Sequence, residues 1–325
     1  MSDVTAPEQP QEVTPTRGPR IRATRDLGIV VFLVGIFAAL AIAAPSFRTS
    51  GNLSNIVNQM SMQGIAACGA TLTIVSGGFD LSQGSVYAFC AILSVMLVHT
   101  FGVLGAFVIA VLAGLGLGAI NGAIIALGRV NSFIATLATS YVFLGFATVI
   151  TQGNVATTSN QNFMVMNNTY GLTVASWVFI AIAVLLGILL AYTRFGRGLY
   201  AIGGNPEAAR LSGINISFYR IAVFSISGAC AGAAGIIAAS QAGSADSSIG
   251  STLALLAIAS SVVGGVSILG GQGAVWRAVV GALILELINN GFVLLNLNPV
   301  YEDVVFGLLV LLAVGMDQLL RRRRT

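Results

Sequence analysis

The stretch Thr193–Arg220, TRFGRGLYAIGGNPEAARLSGINISFYR, is the one long polar interruption in the second half of a chain that is otherwise almost continuously apolar. Local signals predict a short helix inside it. Asn205 is a favourable N-cap, Pro206 suits the first helical position, and Glu207 lies in the first turn, where the helix dipole favours a negative charge. Gly213 can end the helix in the left-handed conformation. Because an isolated helix of two turns is unstable in water, the rest of the protein or a partner must hold it.

The composition of the whole chain places this loop between membrane spans. Of the 325 residues, 56% are hydrophobic and 8% are charged, whereas about a quarter of the residues of a soluble domain are charged. One span needs about 20 apolar residues, so the chain has room for about ten spans. We therefore predict an all-α polytopic membrane protein with about ten transmembrane helices, some of them broken by glycine-rich segments.

Three parts are predicted along the chain. Residues 1–26 form a disordered cytoplasmic tail that ends in a basic anchor, 27–320 form the transmembrane domain with a cytoplasmic loop at 193–220, and 321–325 form a basic cytoplasmic tail. The apolar run Leu27–Ala44 resembles a signal peptide, since arginines precede it and small residues end it. It is longer than a usual signal-peptide core and more spans follow, so we interpret it as an uncleaved first span.

The arginines test this topology. With ten spans, only Arg48 of the fifteen arginines falls outside, which is the asymmetry that the positive-inside rule requires. Both termini are then cytoplasmic and the asparagine-rich loop 152–173 is external. Asn160 and Gly203 are expected to be exposed on opposite sides of the membrane. Since all fifteen basic residues are arginine, the lysine of a P-loop is missing, and a partner must carry out any ATP hydrolysis.

Glycine series predict close packing between helices. Small residues at every fourth position let a neighbouring backbone approach. The fourth predicted span carries Gly114, Gly118 and Gly122, and the span 221–241 carries Gly228, Gly232 and Gly235. Another glycine group, between residues 264 and 273, breaks the predicted span Ser251–Leu269. Broken helices at membrane depth are tolerated only where they line protein or a cavity.

Polar residues inside the spans are candidates for a translocation path. The string GGFDLSQGSV places Asp80 and Ser82 at a helix break, where Asp80 either caps the next helix or also gates a path. The span Leu53–Ser76 contains several amide side chains, which should face other helices or water because exposing them to lipid is costly. Asn289 and Asn290 lie about 100° apart around a helix, so one can face the path while the other bonds a neighbouring span.

The other reactive side chains form no catalytic arrangement in the sequence. The three cysteines lie in apolar stretches without CxxC spacing, and we expect them to pack in the core. His99, the single histidine, has no metal-ligand partner nearby in sequence. We expect neither enzymatic activity nor a bound metal or cofactor. Glu286, inside an apolar run, leaves a proton-coupled secondary transporter as the alternative function.

Several motifs resemble one protein family. Glu207-Ala208-Ala209, followed after three residues by Gly213, is the EAAxxxG pattern of the permease subunits of ABC importers. The longer string GRGLYAIGGNPEAARLSGI resembles the ribose/xylose/galactose branch of these permeases. The strings GGFDLSQGSV, NSFIATLATSYVFLGFATVITQG and LINNGFVLLNLNP also resemble that branch. The likeness runs from about Ile29 to Asp317, and it is to the transmembrane subunit of a bacterial ABC sugar importer.

The resemblance implies ATP-driven import of a monosaccharide or similar small polyhydroxylated solute across the bacterial cytoplasmic (inner) membrane. The implied partners are an ABC ATPase subunit that binds the ATP, an external solute-binding protein, a second permease copy in a homodimer, and the lipid bilayer, with no nucleic acid. A purely structural or channel-forming protein would leave the loop helix without a purpose. The implied ATPase-coupling residues are Gly204, Asn205, Pro206, Glu207, Ala208, Ala209, Arg210 and Gly213. The candidate pathway or gating residues are Asp80, Ser82, Phe133, Asn289 and Asn290.

One stretch departs from the family. Relatives usually carry a Glu and an Asp before the glycine pair that corresponds to Gly264-Gly265, roughly as YELDAIA. This chain has Ala254 and Leu256 at those positions, in LALLAIA. Any role of those acids in handling sugar or in gating is therefore in doubt here. Specificity in such systems lies largely in the binding protein, so a pentose, a hexose and a polyol all remain open as the solute.

Overall fold

The computed structural model describes residues 18–164 and 172–322, and this part of the chain is almost entirely helical. The helices are α1 (Gly18–Ala43), α2 (Ser50–Val75), α3 (Gln83–Leu127), α4 (Ser132–Thr151), α5 (Gln161–Met164), α6 (Val174–Tyr192), α7 (Arg194–Gly204), α8 (Pro206–Leu211), α9 (Ile216–Ala242), α10 (Leu253–Val263), α11 (Val275–Leu294) and α12 (Val300–Arg322). A 3-10 turn spans Pro45–Arg48, and strands β1 (Ala156–Thr157) and β2 (Ser244–Ala245) pair antiparallel. The predicted all-α class is confirmed.

Six helices of the described residues are long and apolar enough to cross a membrane, namely α1, α3, α4, α6, α9 and α11. With 45 residues, α3 would be about 68 Å long if straight, more than twice the apolar thickness of a bilayer. It bends at Gly102, where φ is 69°, and the arm after the bend contains the fourth predicted span with Gly114, Gly118 and Gly122. The polytopic architecture is confirmed, and the number of crossings, about ten, stays a prediction.

The first helix begins earlier than predicted. Residues 18–26 are helical, where the sequence indicated a disordered tail. Alanine and arginine favour helix, and this segment continues directly into an apolar span, so the helix extends backwards from the membrane. The rest of that tail, residues 1–17, and the last three residues of the basic tail lie outside the described residues. Near the start of the span, Asp26 Oδ1 forms an ion pair of 2.6 Å with Nη2 of the buried Arg277 on α11.

The two glycine series pack against each other, because α3 lies along α9. A methyl group at Gly118 would overlap the carbonyl oxygen of Phe224, and one at Gly228 would overlap that of Gly114. The backbone of Gly122 lies in the same way against Ile221. Two backbones approach this closely only when no side chain separates them. The predicted packing role of both series is confirmed.

The polar helix α2 lies among α6, α9, α10 and α11. Asn58 Oδ1 accepts hydrogen bonds from Thr173 Oγ1 at 2.6 Å and from Gln241 Nε2 at 3.1 Å. Gln63 Nε2 donates to Ser260 Oγ of α10 at 2.7 Å. These bonds satisfy amides that would be costly to expose to lipid. The prediction that such amides face other helices is confirmed for these two residues.

The span Ser251–Leu269 is broken, as its glycine group predicted. Only Leu253–Val263 is helical, and its 11 residues extend about 16 Å, half of a bilayer core. Gly265 then takes a φ of 83°, which ends the helix because glycine adopts this conformation without strain. Gly271, further along, has a φ of 67°. Gly271 N donates instead to the carbonyl oxygen of Val75 at 2.9 Å.

The strands β1 and β2 connect the loops that follow α4 and α9. Beside them, Thr158 Oγ1 lies 2.9 Å from His99 Nε2, which gives the single histidine a hydrogen-bond partner. After β2, the hydroxyl and the backbone N–H of Ser248 donate to Asp246 Oδ1 at 2.6 and 2.7 Å. These bonds hold the pKa of the Asp246 carboxyl below its usual range. The three cysteines are buried, as expected.

Candidate coupling and translocation sites

The helix predicted in the long polar loop is α8. Asn205 Oδ1 caps it by accepting a hydrogen bond from Ala208 N at 3.0 Å, and Pro206 is its first residue. Gly213 follows its end with a φ of 81°. All three local signals act where the sequence placed them, because capping depends only on residues within one turn of the helix end.

The short helix α8 lies on the surface of the protein. Of its six residues only Ala209 is buried. Glu207 Oε1 and Arg210 Nη2 form an ion pair of 2.6 Å, with both side chains about two-thirds exposed, so water screens it and it stabilises the helix little. Leu211 is 79% exposed. An exposed leucine beside the small Ala208 and two charges forms a surface that another protein can cover.

The preceding helix, α7, anchors α8 to the rest of the protein. Its side chains Leu199 and Ile202 are buried. Phe195 stacks on Tyr219 of α9 with ring centroids 5.1 Å apart, and Gly198 lies against the same ring. These contacts explain how a helix of six residues persists although it would be unstable in isolation.

Asp80 lies in a buried polar cluster between α3 and α9, and its side chain is 2% exposed. Its Oδ1 accepts hydrogen bonds from Ser82 N at 3.1 Å and Ser82 Oγ at 2.6 Å, and its Oδ2 accepts one from Ser227 Oγ at 2.7 Å. Asn121 Nδ2 donates to Ser82 Oγ at 2.7 Å, and Gln83 Nε2 donates to Ser227 Oγ at 2.8 Å. The bond to Ser82 N is an Asx turn before α3 and does not cap the helix, because Ser82 is itself the N-cap residue and α3 has no side-chain cap. The predicted capping role of Asp80 is therefore wrong, and a gating role stays a prediction.

Sequence reasoning missed three members of this cluster, Gln83, Asn121 and Ser227. Two of them stand directly before a glycine of the packing series, since Asn121 precedes Gly122 and Ser227 precedes Gly228. A polar residue beside a glycine contact lies close to the opposing helix, where it needs a partner. That adjacency was the available signal.

Phe133, at the start of α4, is half-exposed. Its neighbours, rather than its ring, hold the segment that carries Asp80. Ser132 Oγ accepts a hydrogen bond from Phe79 N at 3.1 Å, and Thr136 Oγ1 accepts one from Leu81 N at 3.0 Å. The start of α4 therefore positions the backbone on both sides of Asp80.

The two consecutive asparagines of α11 bond to different helices. Asn290 Nδ2 donates to Asn52 Oδ1 at 2.9 Å, and Asn52 Nδ2 donates back to Asn290 Oδ1 at 3.1 Å. Asn289 Nδ2 donates to Glu302 Oε1 of α12 at 2.7 Å. Each amide thus holds a neighbouring helix, whereas the sequence suggested that one of the two faces the path.

The predicted pathway residues do not meet in one place. The Asn52–Asn290 pair lies at the start of α2 and the Asp80 segment follows its end, and a helix of 26 residues is about 39 Å long. Glu286 is 7% exposed, and its Oε1 has no hydrogen-bond partner among the residues that the structure describes. The structure thus places the Asn52–Asn290 pair and the Asp80 cluster at opposite ends of α2.

These features define a polytopic α-helical membrane protein that carries a short, capped and exposed helix. A family model described as branched-chain amino acid transport system / permease component matches residues 52–314, and the chain belongs to this permease family. It is 37% identical over 295 residues to the ribose import permease protein RbsC of Escherichia coli strain K12, covering 89% of this chain and 92% of that protein.

Two more relatives from the same strain have similar coverage. The L-arabinose transport system permease protein AraH is 36% identical over 297 residues, 90% of each chain. The D-allose transport system permease protein AlsC is 34% identical over 298 residues, 90% of this chain and 91% of that protein. No solved structure matches the chain. The predicted likeness to import permeases is confirmed.

Proposed function

We propose that this chain is the transmembrane subunit of an ATP-driven importer of a monosaccharide or similar small polyhydroxylated solute. The observation that carries the proposal is α8, a capped helix exposed at the surface of a membrane permease. Its relatives over 89–90% of the chain are named as permeases for ribose, L-arabinose and D-allose. Both observations support transport as the role of this chain.

ATP would be bound by a partner that docks on α8. The small Ala208 lets the partner approach the helix backbone. Glu207 and Arg210, paired with each other in the isolated chain, can exchange that ion pair for charge-assisted hydrogen bonds to the partner. The surface would comprise Gly204, Asn205, Pro206, Glu207, Ala208, Ala209, Arg210 and Gly213.

The path for the solute would begin along the first half of α2. Asn55 and Gln59 lie one turn apart and are exposed, and a lipid-facing position would be costly for two amides. Amides both donate and accept hydrogen bonds, as a neutral sugar requires. Asn55, Gln59 and Gln63 thus form a polar stripe along α2. The bond between Gln63 and Ser260 marks the end of this polar stripe, since every residue from 64 to 75 is buried.

The earlier pathway candidates fit different parts of this route. Asn289 and Asn290 lie near its outer end, where they fix the helices that surround it. Asp80 and Ser82 lie beyond the buried half of α2, where a change in their hydrogen bonds would accompany opening. Phe133 lies beside them on α4.

The orientation follows from the same proposal. The end that carries α8 would be cytoplasmic, together with both termini, in the bacterial inner membrane. The opposite end, with β1 and β2, would receive the external solute-binding protein. A second copy of the chain would complete the path as a homodimer.

Uptake in proteoliposomes tests the proposal. The permease is reconstituted with its ATPase and binding protein, and labelled D-ribose, L-arabinose and D-allose are offered in turn. We expect uptake of at least one sugar that requires both ATP and the ATPase. Uptake that persists without the ATPase and requires a proton gradient would support the alternative, with Glu286 as the coupling group. Lack of uptake of all three sugars would contradict import of the sugars for which its relatives are named.

Two substitutions test the docking role of α8. Glu207→Lys reverses a charge, and Gly213→Val forces a β-branched residue into a positive φ that only glycine adopts easily. Both variants should insert normally but lose co-purification of the ATPase and uptake. The charge-swapped variant Glu207→Lys/Arg210→Glu is the control. It restores the ion pair within α8, so recovered docking would mean that only this ion pair matters and that α8 has no charged contact with the partner.

A further inference from the structure

The end of α7 packs on two other segments by direct contact of backbones. A methyl group at Gly203 would overlap the carbonyl oxygen of Val75 and lie 2.5 Å from Gly271 N. One at Gly270 would lie 2.9 Å from Gly77 Cα, and Gly271 N donates to Val75 O at 2.9 Å. We call Gly77, Gly203, Gly270 and Gly271 the glycine joint.

A side chain also ties α7 to the same region. Tyr200 lies one turn before Gly203, and its hydroxyl donates to the carbonyl oxygen of Gly273 at 2.7 Å. The glycine joint itself contains no flexible side chain that could change rotamer and absorb a movement. A displacement of α7 must therefore move the end of α2 and the segment between α10 and α11.

The segments held by the glycine joint belong to one packed group of helices. Thr71 of α2 and Ser261 of α10 share a hydrogen bond of 3.1 Å. A methyl group at Gly281 of α11 would overlap the carbonyl oxygen of Ser260, so α10 and α11 are equally close. This group, α2 with α10 and α11, includes the polar stripe and the bond that marks its end.

On its other side, α8 leads into a second packed group. Gly213 follows α8 and precedes α9, which lies along α3 through the two glycine series. One end of α8 therefore connects to α9, which packs on α3. Its other end connects, through α7 and the glycine joint, to α2, α10 and α11. The two groups also contact each other where Gly69 of α2 lies against Ser227 and Cys230 of α9, so a movement of α8 would reach α2 through α9 as well as through the glycine joint.

We propose that the glycine joint transmits the displacement of α8 to α2, α10 and α11, which makes Gly203 and Gly271 positioning residues for the coupling of ATP hydrolysis to transport. This inference rests on the proposed function, because it requires an ATPase that moves α8. The ATPase can drive a conformational change of the permease only through contacts that differ between the two conformations. The glycine joint connects those contacts to the solute path.

The substitution Gly203→Ala tests the proposal. Its methyl group would separate α7 from Val75 and Gly271 without altering α8 itself. The matched control is Gly187→Ala, which adds the same methyl group to α6, where no described atom beyond the adjacent stretch of its own helix lies within 4 Å of it. Docking of the ATPase, ATP hydrolysis and sugar import are measured in proteoliposomes. Gly203→Ala should dock and hydrolyse ATP, while the sugar imported per ATP falls about 2- to 30-fold; the control should match the wild type.

A second variant keeps the test decisive if Gly203→Ala fails to insert. Tyr200→Phe removes the hydrogen bond to Gly273 without adding an atom, and it should lower the sugar imported per ATP in the same direction. An unchanged ratio in a variant that inserts, or a loss of ATPase docking in proportion to the loss of import, would overturn the glycine joint. Absence of ATP-driven import in the wild type would instead overturn the proposed function and the joint with it.

Discussion

At the scale of single residues, Asp80 and Asp246 make the same local bonds in opposite surroundings. In both, Oδ1 accepts the backbone N–H and the hydroxyl of the serine two positions later. Asp80 is buried and also accepts a bond from Ser227 on α9, whereas Asp246 lies in a loop where water reaches it. The local bonds follow from the spacing Asp-x-Ser, and their value to the fold depends on what surrounds them.

This pair provides a matched experiment. Asp80→Asn places an amide group against donors that require an acceptor, and a buried donor left unpaired costs about 1–3 kcal/mol. We expect Asp80→Asn to lower the unfolding temperature in detergent, and Asp246→Asn to leave it nearly unchanged because water replaces the lost bonds. Equal shifts in the two variants would mean that the buried cluster does not hold α3 to α9.

At the scale of helices, the contact between α3 and α9 depends on the absence of side chains. Gly114 and Gly118 face Gly228 and Phe224 across this contact, and a methyl group on either would overlap a carbonyl oxygen. A methyl group on Gly116, on the same helix, would have no described atom within 4 Å beyond the adjacent stretch of α3 itself. The same residue type thus has two different roles two positions apart.

The contrast within α3 predicts opposite effects of one chemical change. Gly118→Ala should separate α3 from α9 and reduce both the amount of protein in the membrane and its unfolding temperature. Gly116→Ala should be neutral, or should stabilise by up to about 1 kcal/mol because alanine favours helix. Unfolding of both variants in detergent measures this. A neutral Gly118→Ala would show that the two helices can move apart without cost.

At the scale of the whole molecule, the exposed helix α8 and the sheet β1–β2 provide two positions for testing the orientation in the membrane. The sequence suggested Gly203 as an accessible cytoplasmic position, but its backbone packs against Val75 and Gly271. Leu211 on α8 is exposed and replaces it. Asn162, on α5 near the sheet, is exposed as well.

Cysteine labelling with an impermeant reagent then tests the topology. The native cysteines are buried, so an introduced cysteine should dominate the signal. Asn162→Cys should react in intact cells, and Leu211→Cys should react only in inside-out vesicles. Reaction of both variants from the same side would contradict an odd number of crossings between them and the positive-inside assignment of the arginine loop.

The sequence alone determined the features that depend on composition or on neighbours within one helical turn. The membrane class followed from the scarcity of charge, the caps of α8 from Asn205, Pro206 and Gly213, and the packing role of the glycine series from their spacing of three or four. The caps and the helix faces are local features, because each is set by residues no more than four positions apart.

Tertiary structure alone decided which of these features meet. It placed Ser227 against Asp80, 147 residues away, gave Asn290 the partner Asn52, and set Gly203 on the backbone of Val75. It also gave the glycine-rich segment after α10 its partner, since Gly271 bonds to Val75 at the end of α2. Such pairings depend on the relative placement of whole helices, which the amphipathic pattern of any one helix leaves open because several neighbours can satisfy the same amide or glycine face.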